Sequence, residues 1–438
     1  MIAVIGAGVS GLSCAWWLRE QGVAVRVFEA SERVGGKVLS QHTGLAQIEG
    51  GPNTLYADAA LLGWLRQLGL KPLSPAAIGR QRHVLWQGRY HRLPAGPLDL
   101  LRGTFFSRQA KWRLLGDVWR RGQPVAASET VADFFRRCLG EEVLAKAVAP
   151  FIGGVFAGDA EELLMCETLP QLARLEAAAG SISRGVLSQL LRGKVARKQP
   201  VSLEGGLASL PQRLAQDIDV RLNCPVQAIR RQGDGWLLET ARGPCMAREL
   251  VLALPAAQAA SLLQDCDARA AQALREIVHA PMTVVASVLD AAALSRPLHG
   301  FGGLHAPGER AFAAGHLMSS LLYPQRCAPG QMLITSFVGG RHYQQQAALA
   351  DAPLLQGLSR ELQQLFGLES APLQQTIIRW PQALPQGTAA IEPARQAMQR
   401  LQGQGVHVCA NWLDGVSLPD CLAKGRRLAR QLAEQYER

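Results

Sequence analysis

The first thirty residues combine apolar runs with a glycine-rich turn. The successive segments "IAVI", "GAGVSG", "LSCAWWLREQG" and "VAVRVFEA" predict a strand, a tight turn, a helix and a second strand. Together they form one βαβ unit. A short helix from about Leu61 to Leu70 follows, and the Pro-rich stretch "KPLSPAA" then indicates the exit from this first domain.

Residues from about 97 to 198 show a helical pattern and almost no strand signal. Apolar positions recur at helical spacing in "PLDLLRG", "AKWRLLGDVWRRG", "TVADFFRRCLGEEVLAKAVAPFIGGVF" and "SRGVLSQLLRGKVARK". This helical insertion also carries cations interleaved with aromatic side chains. They are Arg102, Arg108, Lys111, Arg113, Arg120, Arg121, Arg192, Lys194, Arg197, Lys198, Phe105, Phe106, Trp112 and Trp119.

Beyond residue 200 the pattern changes to short strands. The stretch "VRLNCPVQAIRRQGDGWLLETARGPCMARELVLALP" predicts hairpins and an apolar strand that returns to the sheet of the first domain. From about Gln258 to Gln399, the segments "MTVVASVL", "MLITSFVGG" and "LQQTIIRW" predict a second, mainly β platform that carries helices. The C-terminal residues predict a strand, a loop and a final helix.

Composition narrows the class of protein. A chain of 438 residues suggests two or three domains, and 48% hydrophobic with 18% charged residues is typical of a folded globular protein. The net charge of +11 fits a nucleic acid, an anionic membrane or an acidic small molecule as partner. No nucleic-acid-binding motif accompanies the charge, so we expect no nucleic acid. No apolar run reaches the roughly 18 residues that span a bilayer, and no basic leader precedes the first apolar stretch, so we expect a cytoplasmic protein.

The cysteines form no pattern that is typical of a metal site or a disulfide framework. There are nine of them, an odd number, and none belongs to a C-x-x-C pair. We therefore expect reduced, mostly buried thiols and no metal site.

The turn "GAGVSG" has the spacing of a dinucleotide-binding turn. Gly6 makes the turn, Gly8 lets the backbone approach a pyrophosphate, and Gly11 lets the helix pack closely on the strand. The helix N-terminus supplies free N–H groups and a positive dipole. Glu29 closes the second strand, where a carboxylate accepts hydrogen bonds from an adenosine ribose and repels the 2′-phosphate of NADP.

Two further glycine pairs follow this unit. The first, "RVGGK", spans Arg33 to Lys37, and the second, "EGGPN", spans Glu49 to Asn53. A nicotinamide dehydrogenase does not need such pairs, whereas a long, fully buried FAD needs successive backbone segments that approach it closely. The pattern therefore favours FAD as the cofactor.

These motifs resemble those of the flavin-dependent amine oxidase superfamily, in which a dinucleotide turn, an acidic residue and R-x-G-G-[RK] occur together. Within it, the chain is most similar to the oxygen-dependent porphyrinogen oxidase family over nearly its whole length. The similarity rests on "EGGPNTL", "FIGGVFAGDAEELLM", "SLEGGLASLPQRLA", "FVGGRHY" and "GVSLPDCLAKG". After "RWPQALPQ" the chain departs from the family pattern, because it continues with "GTAAIEP" instead of an aromatic residue and a Gly-His pair.

The resemblance implies a set of FAD contacts. They are Gly6, Gly8, Gly11, Glu29, Arg33, Gly35, Gly36, Lys37, Gly51, Pro52, Asn53, Thr54, Val226, Val416, Ser417 and Leu418. The backbone of Val226 would hold the adenine, and residues 416–418 would lie beside the pyrimidine end of the flavin. Gly50, Gly51 and Pro52 would lie against the isoalloxazine ring. From the pattern alone, an ordinary strand residue is the alternative for Val226.

The resemblance also implies a substrate site. Its members are Arg82, Gly154, Phe301, Leu304 and Phe337. Arg82 would bind a propionate of a tetrapyrrole, since a guanidinium forms charge-assisted, often bidentate hydrogen bonds with a carboxylate. Arg80 is the rival for this role, and a solvated loop arginine is the alternative. Phe301, Leu304 and Phe337 would hold the rings of the tetrapyrrole between them. Without the resemblance, each would be interpreted as a core residue, since buried aromatic side chains usually form core. The backbone at Gly154 would approach the substrate.

The implied reaction is the FAD-dependent six-electron oxidation of protoporphyrinogen IX to protoporphyrin IX in haem biosynthesis, with oxygen as acceptor and hydrogen peroxide as product. The cofactor carries the redox chemistry, so no catalytic acid or base is assigned. The alternatives are coproporphyrinogen III oxidation, another reaction of the superfamily such as amine oxidation or carotenoid desaturation, and a non-catalytic flavoprotein that binds porphyrin and hands it on.

The implied fold class combines α/β with α+β. A Rossmann-like FAD-binding domain would comprise residues 1–80, 199–257 and 402–438, a helical membrane-associating domain residues 81–198, and a mixed β-sheet substrate domain residues 258–401. The basic insertion would make peripheral contact with an anionic membrane on its inner face; a solvated basic face over its own core is the alternative. A homodimer and hand-over to the next haem-pathway enzyme are further expected partnerships.

Overall fold

The fold was analysed in a computed structural model, which describes residues 1–120, 122–191, 198–297 and 299–436. The N-terminal region contains β1 (Ile2–Ile5), α1 (Val9–Glu20), β2 (Val25–Phe28), β3 (Ser40–His42), β4 (Gln47–Glu49), β5 (Leu55–Ala57), α2 (Ala59–Gln67), β6 (Pro72–Leu73), β7 (Arg82–Trp86) and β8 (Arg89–Arg92). The helical region contains α3 (Pro97–Arg102), α4 (Arg108–Gly116), α5 (Val131–Cys138), α6 (Glu141–Val143), α7 (Ala149–Val155), α8 (Met165–Thr168), α9 (Pro170–Ala179) and α10 (Ile182–Leu191).

The second half of the chain alternates between strands and helices. It begins with β9 (Gln199–Leu203), α11 (Ser209–Ala215), β10 (Asp219–Arg221), β11 (Val226–Gln232), β12 (Gly235–Thr240), β13 (Gly243–Ala247), β14 (Glu249–Leu252), α12 (Ala256–Leu263) and α13 (Ala268–Arg275). It continues with β15 (His279–Asp290), β16 (Gly302–His305), β17 (Gly315–Met318), α14 (Ser319–Leu322), β18 (Gln331–Gly339), α15 (Gln344–Ala347), α16 (Asp351–Phe366), β19 (Gln374–Pro385), α17 (Ile391–Gln402), β20 (Val406–Val408) and α18 (Leu418–Tyr436).

A parallel sheet with the strand order β10-β2-β1-β14-β20 organises the first part of the fold. Alternate side chains of β1 enter two different cores. Ile2 and Val4 pack with α1 and α18, whereas Ala3 and Ile5 pack with α12, α13 and α17. Helices therefore cover both faces, as parallel sheets require. The predicted βαβ unit, and the return of a later apolar strand (β14) beside β1, are confirmed.

A mixed sheet with the order β19-β15-β18-β17-β16-β7-β8 organises the second part. All neighbours are antiparallel except β16 and β7. Helix α16 covers one face with Leu354, Leu358 and Phe366. The opposite face meets the nucleotide-binding part, where Ile48 of β4 packs with the strand residues Val284 and Ala286. The two parts thus share a continuous interior at β4.

The helical region has its own core, formed by residues of α5, α7, α8 and α9. A buried ion pair supports it: Arg137 Nη1 donates to Glu176 Oε1 at 2.8 Å, and Glu129 also accepts from Arg137. A π-helical turn at Leu144–Val148 precedes α7. Within the described ranges, no helix is both long and apolar enough to cross a bilayer.

The structure corrects the predicted domain boundaries at three places. Residues 82–92 do not begin the helical region, because β7 and β8 pair with each other and β7 pairs with β16 at the edge of the mixed sheet. The predicted boundary at residue 257 cuts through α12. Helices α12, α13 and α17 also bury their apolar faces on the parallel sheet, so they belong with the nucleotide-binding part and not with the substrate platform.

Candidate functional site: a dinucleotide cradle against an apolar sheet face

The glycine-rich turn between β1 and α1 forms one wall of the site. Gly6 has φ +106°, and a Cβ there would lie 2.6 Å from the carbonyl oxygen of Ala253. A Cβ at Gly11 would collide with the carbonyl oxygen of Gly6. At Gly8, by contrast, no described atom lies within 4 Å of the same position. Gly6 and Gly11 are therefore required by packing, whereas Gly8 leaves open space at the N-terminus of α1, where a phosphate is favoured.

Glu29 lies directly after β2 and connects three backbone segments. Its carboxylate accepts the N–H of Ala7 at 2.7 Å and the N–H of Ser31 at 2.9 Å. Its carbonyl oxygen accepts the N–H of Cys224 at 2.8 Å, so the chain that leads into β11 lies alongside. This pairing places the half-buried Val226 at the same edge of the parallel sheet as Glu29. The adenosine role of both residues remains a prediction.

The "RVGGK" segment packs directly on the glycine-rich turn. Gly35 donates its N–H to the carbonyl oxygen of Ala7 at 2.8 Å, and Gly36, at φ +56°, lies beside Gly8. Arg33 Nη2 donates to the carbonyl oxygen of Gly36 at 2.6 Å. The guanidinium of Arg33 thus stabilises the loop to which it belongs, and this loop packs against the glycine-rich turn.

Lys37 connects this cradle to the mixed sheet. Its Nζ donates to the carbonyl oxygen of Ala383 in β19 at 2.6 Å. Burial lowers the pKa of Lys37 to about 8. Burial, and then the nearby charge of Lys37, lower the pKa of His279 to about 4. His279 is therefore neutral at physiological pH, and Lys37 is the cation of this contact.

The "EGGPN" segment is pressed between the cradle and the mixed sheet. A Cβ at Gly51 would collide with the carbonyl oxygen of Lys37, and one at Gly50 would lie 2.5 Å from Ile378 Cδ1. Trp380 Nε1 donates to the carbonyl oxygen of Gly50 at 2.5 Å. Packing within the protein therefore already excludes a side chain at both positions. Contact of this segment with a flavin ring remains a prediction.

Arg326 binds the same "EGGPN" segment, and the sequence did not predict this role. This arginine is only 2% exposed, and it donates to Asn53 Oδ1 at 3.2 Å and to Ser202 Oγ at 3.0 Å. Glu49 Oε1 lies 3.5 Å from its Nη2. Burial raises the pKa of Glu49 and lowers the pKa of Arg326. Next to Asn53, the buried Thr54 Oγ1 lies beside the hydroxyl of Tyr323.

The three remaining predicted cofactor residues lie at the start of α18. Val416 and Ser417 precede the helix and Leu418 is its first residue, while Ser417 Oγ donates to Asp420 Oδ2 at 2.5 Å. The buried Lys424 closes the loop ahead of them, because its Nζ donates to the carbonyl oxygen of Ala410 at 2.6 Å and to two further carbonyls. Lys424 was not predicted, since no local pattern marks a lysine that satisfies carbonyls.

One row of side chains crosses the mixed sheet towards this cradle. Directly opposed residues share a face of a sheet, and the register aligns Val84, Leu304, Gly315, Phe337, Val284 and Ile378. Ile378 touches Gly50 at one end, and Arg82 lies two residues before Val84 on the same face at the other. Leu304 and Phe337 are partly exposed, although their strands are mostly buried. We name this row, together with Arg82, the substrate face.

Two other predicted substrate residues lie beside the substrate face. The Phe301 ring lies 5.3 Å from the Arg82 guanidinium, and a Cβ at Gly154 in α7 would collide with Leu304 Cδ2. The structure thus brings together Arg82, Gly154, Phe301, Leu304 and Phe337. Tyr56, which was not predicted, accepts a hydrogen bond from Arg82 Nη2 at 2.6 Å. The side chain of Arg80, the rival to Arg82, lies outside the described part of the structure.

The aromatic and basic residues behind the predicted membrane role of the helical region differ in exposure, and that role remains a prediction. Trp112 and Trp119 are 74% and 79% exposed. Phe106 is buried, and the half-buried Phe105 stacks on His91. Arg120 is bound to Asp117 and Glu176. Of the predicted basic residues, Arg121, Arg192, Lys194 and Arg197 lie outside the described ranges.

One group of residues in the described ranges has the composition of a metal site. His305, His316 and Glu361 lie together on the opposite face of the mixed sheet. His305 Nδ1 contacts the carbonyl oxygen of Ala313 at 2.6 Å, and Glu361 already accepts the N–H of Phe312 and lies 3.1 Å from His316 Nε2. His305 Nε2 also contacts the hydroxyl of Tyr90 at 2.8 Å, and His316 Nδ1 contacts that of Ser336 at 2.9 Å, so neighbouring protein groups already bind both imidazoles of this buried cluster.

Known proteins share this architecture along the whole chain. The family described as flavin containing amine oxidoreductase matches residues 9–433. Protoporphyrinogen oxidase 2, chloroplastic/mitochondrial, of Arabidopsis thaliana is 27% identical, over 98% of this chain and 92% of the plant protein. Coproporphyrinogen III oxidase of Mycobacterium bovis is 28% identical, over 99% of this chain and 97% of the bacterial one.

Solved structures give the same result for the fold. A candidate protoporphyrinogen oxidase from Exiguobacterium sp. 255-15 superposes with a TM-score of 0.84 at 24% identity, covering 99% of this chain and 98% of that one. Cyclohexylamine oxidase from Brevibacterium oxydans superposes with a TM-score of 0.74 at 20% identity, covering 100% and 99%. At these identities the likeness concerns the fold alone.

Proposed function

We propose a reaction for this chain, which belongs to the flavin containing amine oxidoreductase family: the oxidation of protoporphyrinogen IX to protoporphyrin IX. The protein is an FAD-dependent oxidoreductase. Relatives named protoporphyrinogen oxidase and coproporphyrinogen III oxidase match nearly the full chain, which supports a porphyrinogen as the substrate class. The observation that carries the proposal is the substrate face. Arg82, a cation suited to a carboxylate, lies at one end of this apolar row, and Ile378 at the other end lies beside Gly50 of the "EGGPN" segment.

The residues present fit FAD. The open space at Gly8 lies at the helix N-terminus that favours phosphate, and the Glu29 carboxylate lies directly after β2, where a ribose is expected. When bound, FAD supplies a two-electron acceptor, so three rounds account for the six electrons, and we propose oxygen as the final acceptor with hydrogen peroxide as product. Lys37, Gly51 and Asn53 would hold the segment next to the ring.

The chain's own residues would bind and orient the substrate. Arg82 binds a propionate at the open end of the substrate face. Leu304 and Phe337 hold the apolar, non-planar macrocycle, and Gly315, which lies between them in the row, places no side chain there. This orientation brings a ring methylene towards Gly50 and the cofactor while excluding water. Protoporphyrinogen IX fits better than coproporphyrinogen III, because four propionates around the ring would force carboxylates onto the apolar row.

Membrane contact is the second part of the proposal. Leu98, Trp112 and Trp119 of the helical region are strongly exposed, and Arg102 of α3 and Arg108 of α4 are exposed as well. Exposed apolar side chains together with cations suit the headgroup layer of an anionic bilayer. Co-sedimentation with vesicles of phosphatidylserine and phosphatidylcholine should retain the wild type. Loss of binding in Trp112→Ser/Trp119→Ser would support this contact, and equal sedimentation of both proteins would refute it.

Anaerobic mixing of the FAD-loaded protein with protoporphyrinogen IX tests the reaction directly. We expect the absorbance of oxidised flavin to bleach, with three flavins reduced for each porphyrin formed at excess enzyme. Coproporphyrinogen III and a simple primary amine serve as parallel substrates. Bleaching by the amine alone would assign an amine oxidase, and flavin that stays oxidised with all three would favour a binding protein.

A further inference from the structure

Arg82 is held in place from two sides by uncharged groups. Its Nη2 donates to the hydroxyl of Tyr56 at 2.6 Å, and its guanidinium lies 5.3 Å from the centre of the Phe301 ring. Tyr56 comes from β5 and Phe301 from the residue before β16, so the contact joins the nucleotide-binding part to the mixed sheet. Two elements other than its own strand therefore converge on this exposed cation.

Arg82 has no acidic partner in the described part of the chain, a condition that it shares with Arg184 and Arg296, which donate to backbone carbonyls instead. Arg341 pairs with Glu162 and Arg395 pairs with Glu167 through two oxygens each. Within the described ranges no carboxylate lies within 4.0 Å of Arg82. A guanidinium that is oriented by a phenol and an aromatic face, yet carries no counter-charge, is prepared to receive a carboxylate from a ligand.

We infer that Tyr56 and Arg82 together form a two-donor site for a substrate carboxylate, an inference that rests on the proposed function. The phenolic oxygen accepts from Arg82, which leaves the phenolic proton free to donate to a carboxylate oxygen. Arg82 supplies the charge and its remaining N–H donors. The ligand is therefore the carboxylate of a large apolar molecule that lies on the substrate face.

The location of Tyr56 makes it a positioning residue as well. Strand β5 follows the "EGGPN" segment directly, and its pairing with β9 places Tyr56 opposite Pro200 while Leu55 and Ala57 are buried. The hydroxyl is thus fixed relative to Gly51 by a strand of the cofactor-binding part. Tyr56 sets the distance between the carboxylate and the cofactor segment.

Binding of protoporphyrin IX and of its dimethyl ester to the FAD-loaded protein tests this site without turnover. Quenching of porphyrin fluorescence gives both dissociation constants for the wild type, Tyr56→Phe, Arg82→Ala and the control Arg89→Ala, which removes an exposed arginine from the tip of the same hairpin. We expect Tyr56→Phe to weaken binding of the diacid about tenfold, because one hydrogen bond to a charged group is lost, and to leave the ester unchanged. Arg82→Ala should weaken diacid binding further.

Each outcome has a defined meaning. Equal weakening of diacid and ester binding in Tyr56→Phe would show a packing role and overturn the inference. Unchanged diacid binding in Tyr56→Phe, with weaker binding in Arg82→Ala, would remove Tyr56 from the site and leave the proposed function standing. A wild type that does not prefer the diacid over the ester would overturn the carboxylate site itself. Absence of porphyrinogen turnover together with a normal diacid preference would refute only the proposed reaction.

Discussion

Replacing Arg326 should destabilise the junction between the cofactor segment and the mixed sheet. Arg326→Met keeps most of the side-chain volume but removes the hydrogen bonds to Asn53 and Ser202 and the cation that faces Glu49. Glu49 would retain the hydroxyl of Ser40 at 2.6 Å and the N–H of Leu207 at 3.1 Å, yet it would remain a buried carboxylate without a cation.

The expected fall in stability follows from the loss of a buried cation. Loss of one partner of a buried ion pair costs about 3–5 kcal/mol. An unfolding entropy of about 2.1 cal/mol/K per residue gives roughly 0.9 kcal/mol/K for 438 residues unfolding together. The melting midpoint should therefore fall by about 3–5 °C. Glu49→Gln/Arg326→Met, which removes both charges, should recover part of this loss.

The fluorescence of FAD that is released on heating measures the melting midpoint. The ratio of flavin absorbance to protein absorbance measures how much FAD each variant retains. Arg341→Met is the matched control, because its bidentate pair with Glu162 at 2.7 and 2.8 Å is exposed and should contribute at most about 1 kcal/mol. A midpoint for Arg326→Met no lower than that of Arg341→Met would refute the claim that burial, and not contact distance, determines the contribution of these arginines.

The remaining predictions concern two glycines and a histidine. Gly51→Ala should lower bound FAD per protein, because its Cβ meets the backbone carbonyl of Lys37, whereas Gly44→Ala, in open space, should not; equal FAD content would contradict this. Gly154→Ala should slow porphyrinogen turnover with little change in melting midpoint, because only Leu304 has to move, and Leu304→Ala should relieve the effect if the clash is its cause. Burial, and then the neighbouring His316, lower the pKa of His305 to about 4. Between about pH 6.5 and 4 the unfolded chain therefore binds a proton that the folded chain does not, so stability should fall by up to about 3 kcal/mol as the pH drops through this window. His305→Gln should flatten that slope in denaturant titrations, and an unchanged slope would exclude His305 as its source.

Local patterns predicted the parts of the site that local chemistry determines. The spacing of Gly6, Gly8 and Gly11, with Glu29 at the end of β2, follows from one βαβ unit, and the structure confirms that unit. The reason for Gly50 and Gly51 could not be read in this way. Gly50 meets Ile378, and a contact across more than 300 residues leaves no mark on the local pattern; Gly51 meets the backbone carbonyl of Lys37, a contact that depends on how the two glycine-rich segments fold against each other.

Long-range partners explain the other differences. Arg326 reaches Asn53 across 273 residues and Trp380 reaches Gly50 across 330, so only the folded chain reveals them. Phe105 and Phe106 have the composition of an interfacial surface, yet tertiary packing buries Phe106 and half-buries Phe105 against His91. The misplaced boundaries around α12 and α17 have the same origin, since an amphipathic helix does not specify which sheet its apolar face covers.

The growth of porphyrin fluorescence after mixing the FAD-loaded protein with protoporphyrinogen IX tests the central claim most directly. Coproporphyrinogen III is run in parallel, and enzyme-free autoxidation is subtracted from both. We predict rapid formation of protoporphyrin and a slower reaction of the tetracarboxylate. A faster reaction with coproporphyrinogen III would contradict the substrate preference drawn from the apolar row, and no signal above autoxidation with either would contradict porphyrinogen oxidation itself.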